Sequence, residues 1–503
     1  MPPSAQLQHE TSGAASIALP ARPVIYEINT WLWLRELSRQ YGRRVSLGDV
    51  PAEVWDGLGT ADALWLMGVW ERSPGGKALA LANPGLRQAF DAALPNWTPD
   101  DVIGSPYCVR RYVADEALGG SAVLAAARAE LARRGIGLIL DFVPNHVAPD
   151  HPWVAAHPEY FIHGTAADLA AAPEQFFKAN GHIIAYGRDI HSAPWPDVAQ
   201  LNAFHPGLRA AAIATLLDIA GQCDGVRCEM TMRLTTEVFR RAWGERAGPP
   251  PDEEYWREVL PAVRAVYPDT RFIAEVYWDM EWEMQQQGFD FCYDKRLYDR
   301  LEHETAETVH GHLQADLPYQ EGLVRFIENH DEPRAAATFP GNRALAAAIA
   351  AYTLPGAKLF HQGQFEGYRT RLPVFLTRRP DEPVDRALQM FYRRLAVAVK
   401  SPALRHGQWR LCALNGWPDN SSYRNLVAWC WEARDERRVV VVNLSPHTSQ
   451  ARLQLPWPDL AGQNWVLQDI MEERLFERSG DEILNMGLYV ELAPWGRHFF
   501  AIR

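Results

Sequence analysis

The chain has 503 residues, 47% of them hydrophobic and 22% charged, with a formal net charge of −12. A chain of that size can bury a large core and divide into two or three domains of the usual size, roughly 100 to 250 residues each. Its acidic balance and lack of any extended Lys/Arg run exclude a general nucleic-acid binder, which needs a basic face for phosphates.

Residues 1–23 carry no clean period and are expected to be a tail. From residue 24, short apolar runs alternate with longer amphipathic stretches, the pattern of βα units and a parallel sheet. The expected strands are VIYEI (24–28), ALWLMGVW (63–70), IGLILDFVPNH (136–146), CDGVRCEM (223–230), RFIAEVYW (271–278), FDFCYD (289–294), LVRFIENHDE (323–332) and AKLFHQG (357–363). Helix-like stretches at 121–135, 207–222, 253–268 and 342–356 separate them and end on Gly, Gln or Pro. Eight such units predict an α/β fold, a closed (β/α)8 TIM barrel built from residues 24–146 and 207–404. Residues 147–206, rich in His, Pro, Trp and Ala, are too long for a plain loop and predict a small inserted domain. Residues 405–503 turn to strand-like runs and predict an antiparallel β-sandwich domain.

The six cysteines are scattered without C-x-x-C spacing, which predicts reduced thiols and neither zinc nor a disulfide framework. No basic segment followed by an apolar one opens the sequence, and no run of about 18 uncharged apolar residues follows, so the expectation is a cytoplasmic protein without membrane contact.

In such a barrel the C-terminal strand ends form the active face. Those ends carry Asp141, Asn145 and His146 on the third strand, Arg227 and Glu229 on the fourth, Glu275 on the fifth, and Asn329, His330 and Asp331 on the seventh. Arg227 and Glu229 are two apart, so both would point the same way along a strand. Each charge alone reads equally as an ion pair or a helix cap. Four strands bringing carboxylates to one end is costly for a purely structural barrel, because like charges in a confined site repel. The cluster suits a divalent cation or acid–base and nucleophilic chemistry.

On these residues the chain resembles glycoside hydrolase family 13, the α-amylase family. The family's four short motifs have counterparts in order as DFVPNH (141–146), GVRCEM (225–230), AEVY (274–277) and ENHD (328–331), and the resemblance covers nearly the whole chain. It implies a retaining α-glycosidase or transglycosidase with Glu229 as nucleophile, Glu275 as general acid/base and Asp331 as the third carboxylate. It further implies that His146 and His330 hydrogen-bond the sugar, that Asp141 is the first-motif aspartate, and that Tyr107 stacks under the sugar. Arg227 would keep Glu229 ionised through a charge-assisted hydrogen bond.

Three departures stand out. Glu229 occupies a position where the family carries Asp, and one extra methylene moves the carboxylate by about a bond length. Met232-Arg233 stands where starch-degrading members carry a Lys-His pair that serves the +1 subsite and calcium, and Asn145 alone makes no calcium site. Arg111 stands where an acidic residue is usual, whereas NHDEPR (329–334) is similar to the form found in exo-acting members that use short α-glucosides. The expected partner is an oligosaccharide, with no metal or other cofactor. Two readings stay open: an active enzyme, and a catalytically silent member that binds sugar or a protein partner through the same pocket.

Overall fold

Eight short, almost wholly buried strands close on themselves in a computed structural model that describes residues 16–190 and 193–503. Residues 1–15 of the expected tail lie outside the described residues. The strands are β1 (Val24–Asn29), β2 (Ala63–Met67), β3 (Gly137–Phe142), β4 (Gly225–Cys228), β5 (Arg271–Ala274), β6 (Phe291–Tyr293), β7 (Leu323–Arg325) and β8 (Ala357–His361). All pairings are parallel, and β1 closes the barrel by pairing with both β2 and β8. Strands covered on both faces need apolar side chains on both, which is why they read in the sequence as continuous apolar runs. Each expected strand is present; the first runs one residue longer, to Asn29, and the other seven are shorter at the C-terminal end, because the polar residues there leave the ladder and form the βα loops. The clearest case is the seventh, expected over 323–332 and observed over Leu323–Arg325.

Two connections carry extra structure. Between β2 and β3 lie two consecutive helices, Pro74–Ala82 and Pro84–Ala93, each with Pro in its first turn and a side-chain cap from Ser73 or Asn83. Between β3 and β4, strands Phe176–Ala179, His182–Gly187 and Trp195–Gln200 form an antiparallel sheet with His146–Val147.

Beyond residue 405 the chain forms antiparallel sheets of six and three strands. The period-2 alternation of Leu426–Ala433 assigns its two faces. Leu426, Ala428 and Cys430 pack towards the three-stranded sheet, whereas Val427, Trp429 and Trp431 pack onto the barrel helices. Among the described residues no helix is long and apolar enough to cross a membrane.

Trp431 fastens this sheet to the barrel. It is fully buried, its indole N–H donates to the Thr353 carbonyl at 2.8 Å, and the Arg22 guanidinium lies 4.7 Å from its ring centre. We expect Trp431→Ala to lower the unfolding free energy by about 3–5 kcal/mol in chemical denaturation. A loss under about 1 kcal/mol, the size of an average substitution, would mean that the sheet is not anchored through this ring.

Candidate active site

Strand register decides which charges meet. Arg227 on β4 lies level with Asp141 on β3 and Ile273 on β5. One step further, the Glu229 N–H donates to the Phe142 carbonyl at 2.9 Å and the Glu275 N–H to the Cys228 carbonyl at 3.0 Å. The two glutamates therefore leave neighbouring strands at the same height, above Arg227.

Arg227 is fully buried, with the rings of Trp65 and Tyr107 each centred 5.1 Å from its guanidinium carbon. Its Nη2 lies 2.9 Å from Glu275 Oε2, an ion pair without hydrogen-bond alignment, and its Nη1 donates to Asp141 Oδ1 at 3.5 Å. Burial alone would lower the guanidinium pKa, but Glu275 and the groups around it raise it well above its usual value. Sequence reasoning expected Arg227 to hold Glu229, and the structure gives it Glu275 instead. The reason is local: β4 ends at Cys228, so Glu229 stands in a turn, where the alternation that would align residues two apart no longer applies.

That turn brings Met230 into the left-handed region at φ 44°, unusual for a non-glycine residue, and its N–H then donates to Glu275 Oε2 at 2.7 Å. Tyr277 donates its hydroxyl to Glu275 Oε1 at 3.1 Å. Glu275 is thus met only by donors, the surroundings that an acceptor-only carboxylate satisfies. Glu229 has the opposite surroundings. Its Oε2 is buried without a hydrogen-bond partner, and burial followed by the negative charge of Glu275 pushes its carboxyl up to about 8, against the pull of Arg233 and Arg227. These surroundings favour the protonated form of Glu229 in the free protein.

A second cluster faces this pair. His330 Nδ1 lies 2.5 Å from Glu27 Oε1, and its Nε2 is 2.9 Å from Asp331 Oδ2 and 2.7 Å from the Tyr107 hydroxyl. Burial alone would lower the imidazole pKa, but Asp331 and then Glu27 raise it to about 10. His330 in turn holds the carboxyl of the half-exposed Asp331 well below the usual range. His146 is pushed down to about 3 by burial and then by Arg233, so it is a neutral ring beside Trp195.

A cavity of about 590 Å³ opens between the clusters, and Tyr107, His146, Arg227, Glu229, Glu275 and Asp331 line it. Asp141 reaches it only through Arg227, and His330 through Tyr107 and Asp331. The structure therefore brings all eight expected residues to one place, six at the wall and two behind it. Sequence reasoning missed Glu27, whose signal was a charge inside the apolar run VIYEI, and Tyr277, which ends the AEVY motif. It also missed Trp195, brought in by the connection between β3 and β4, for which no local signal existed. Among the described residues no group of three His, Cys, Asp or Glu side chains is arranged to hold a metal ion.

The molecule is a (β/α)8 barrel with a carboxylate-lined cavity at the C-terminal ends of its strands. Its sequence is similar to those of two α-amylases, and it shares the fold of solved α-amylases. No protein-family profile matches the chain. It is 26% identical over 318 residues to α-amylase MalA of Haloarcula japonica, a match covering 60% of this chain and 39% of that protein. It is 22% identical over 276 residues to α-amylase 3 of Dictyoglomus thermophilum, covering 50% of this chain and 51% of the relative. The match thus spans about two fifths to one half of the length of these relatives. The crystal structure of the maltogenic α-amylase AmyB from Thermotoga neapolitana superposes with a TM-score of 0.65 at 18% identity, covering 95% of this chain and 98% of that one.

The clamp on His330 has a measurable sign. Its folded pKa of about 10 lies above the ordinary 6.5, so its contribution to stability is complete below about pH 6.5 and is lost as pH rises through about 10. We expect imidazole NMR to show His330 charged throughout the neutral range, and Glu27→Gln to move its titration to lower pH. An unmoved midpoint would contradict the role given to Glu27.

Proposed function

We propose that the chain is a retaining α-glycosidase or transglycosidase acting on short α-glucosides in the cytoplasm. The observation that carries the reading is the pair Glu229 and Glu275, side by side at the wall of one cavity, with Glu275 met by hydrogen-bond donors and Glu229 without one on its buried Oε2. A retaining cycle starts from that inventory, one carboxylate to attack and one carboxylic acid to protonate the leaving oxygen. In our reading a sugar enters over Tyr107, with His146 and Asp331 hydrogen-bonding its hydroxyls. Glu229 attacks the anomeric carbon as Glu275 gives its proton to the departing oxygen. Glu275 then takes a proton from water or from an acceptor hydroxyl, which releases the sugar from Glu229. Before the attack the proton must pass from Glu229, where the free protein holds it, to Glu275.

The relatedness to α-amylases supports the substrate class, and Met232-Arg233 together with NHDEPR favours short glucosides over starch. Six buried, unpaired cysteines support the cytoplasmic assignment. Incubation with maltose, isomaltose, sucrose, trehalose and maltopentaose should release or transfer glucose from at least one of them. Saturable binding without turnover on all five would replace this reading with that of a sugar-binding protein.

Glu275→Gln should abolish turnover of natural glucosides while binding stays nearly intact, because the amide keeps the shape but has no proton to give. An aryl glucoside or glucosyl fluoride, whose leaving group needs little protonation, should be partly spared. Equal loss on both substrate types would remove Glu275 from the acid role. Glu229→Asp should lower kcat/KM on the activated glucoside by a factor on the order of 10², since the site is shaped around the longer acid. A rise in kcat/KM would show a pocket still shaped for aspartate, and an unchanged value would argue that residue 229 does not attack.

A further inference from the structure

A nucleophilic carboxylate has to be ionised when the sugar arrives, and Glu229 lacks the cation expected to ensure it. Arg227 is taken by Glu275 and Asp141. The other cation at the cavity wall beside Glu229 is Arg233, one short helical turn further along the chain (Thr231–Leu234). Its side chain is 7% exposed, its Nη2 donates to Asp189 at 2.8 Å, and its guanidinium carbon lies 4.3 Å from the centre of the Trp195 ring. Asp189 and Trp195 thus hold the guanidinium plane by one edge and one face. Its Nε and Nη1 are buried and have no hydrogen-bond partner.

Unpaired buried donors of a cation are costly, and so is an unpaired buried carboxylate oxygen. Arg233 has two such donors, Glu229 Oε2 is such an acceptor, and both residues line the same cavity. No ion pair joins them in the free protein as described. The groups that act on Glu229 from the surrounding elements are Glu275 after β5, Asp331 after β7, Arg227 on β4 and Tyr112 on the strand Val109–Ala114. The Tyr112 hydroxyl is already bonded to the Val143 carbonyl. Arg233 is the cation whose donors are open.

Resting on the functional reading above, we propose that Arg233 is the positioning cation of Glu229, and that its free edge closes on Glu229 Oε2 when a sugar fills the cavity. The extra methylene of Glu229 then has a purpose. A side chain one carbon longer has more reach across the cavity whose wall Arg233 shares. Pairing with Arg233 moves the negative charge onto Glu229, and the proton passes to Glu275, the distribution that attack requires. No bond other than that O–H bond is exchanged in this step.

The test compares the pH dependence of kcat on an aryl α-glucoside for the parent protein, Arg233→Met, Arg233→Lys and Asp189→Asn, because kcat reports the ionisations of the sugar-loaded enzyme. Losing an opposite charge should move the acid limb up by about one pH unit or more in Arg233→Met. Arg233→Lys should restore part of that shift. Asp189→Asn should move the limb the other way, because it removes the acid competing for the guanidinium. A merely structural Arg233, holding Asp189 and Trp195 in place, would lower the rate at every pH with the limb unmoved in all variants, and that result overturns the proposal. Absence of turnover by the parent protein on every glucoside would instead overturn the functional reading. Carboxyl ¹³C titration of Glu229 in the maltose-saturated Glu275→Gln protein, assigned with Glu229→Gln, then decides the pairing alone: adding Arg233→Met must raise its midpoint, and an unmoved midpoint overturns the proposal.

Discussion

The fully buried guanidinium of Arg227 is the constraint on which the rest of the cleft depends. A buried cation needs acids at its sides, and strand register supplies Asp141 on one and Glu275 on the other. Once it is so engaged, every other acid at the barrel mouth needs a different partner. Asp331 and Glu27 share His330, which their charges keep protonated. Glu229 is left with an unpaired oxygen, a raised pKa and Arg233 at the same cavity wall. The cleft is therefore a balance of six acids, Asp189 on Arg233 included, against three cations, and Glu229 is the acid without a direct ionic partner.

Such an arrangement is unfavourable for stability, and the scaffold offsets it. Met230 sits in the left-handed region to aim its N–H at Glu275, a conformation costing a non-glycine residue about 1–2 kcal/mol. Orphaned polar atoms on Glu27, Glu229 and Arg233 add to the cost. Against this stand eight strands buried on both faces and a six-stranded sheet pressed onto the barrel through Val427, Trp429 and Trp431. Strain and unpaired groups gather at the strand ends, where the framework on all sides determines the backbone.

The barrel was legible because parallel strands covered on both sides must be apolar throughout, so VIYEI, ALWLM and GLILDF announce themselves. The cavity carboxylates were legible as a group, since four strands bringing acids to one end is costly for a purely structural barrel. Partner choice was not legible. Whether Arg227 turns to Glu229 or Glu275 depends on where β4 stops, a matter of one residue, and on a left-handed Met230 that no residue preference foretells. Glu27 was visible as a charge in a strand, but its partner His330 lies 303 positions away and only barrel closure joins them. Trp195 and Asp189 come from the connection between β3 and β4, whose path over the cleft is set by tertiary packing, not by any period in its sequence.

The proposed mechanism turns on Glu229 forming the covalent bond to the sugar. Trapping the intermediate with a fluorinated glucosyl fluoride, which slows release more than attack, followed by mass spectrometry of the labelled peptides, tests it most directly. The account predicts one sugar adduct per chain, attached to Glu229 and absent from Glu229→Gln. A label on Glu275 or Asp331 would contradict it, as would turnover of the fluoride with no adduct at Glu229.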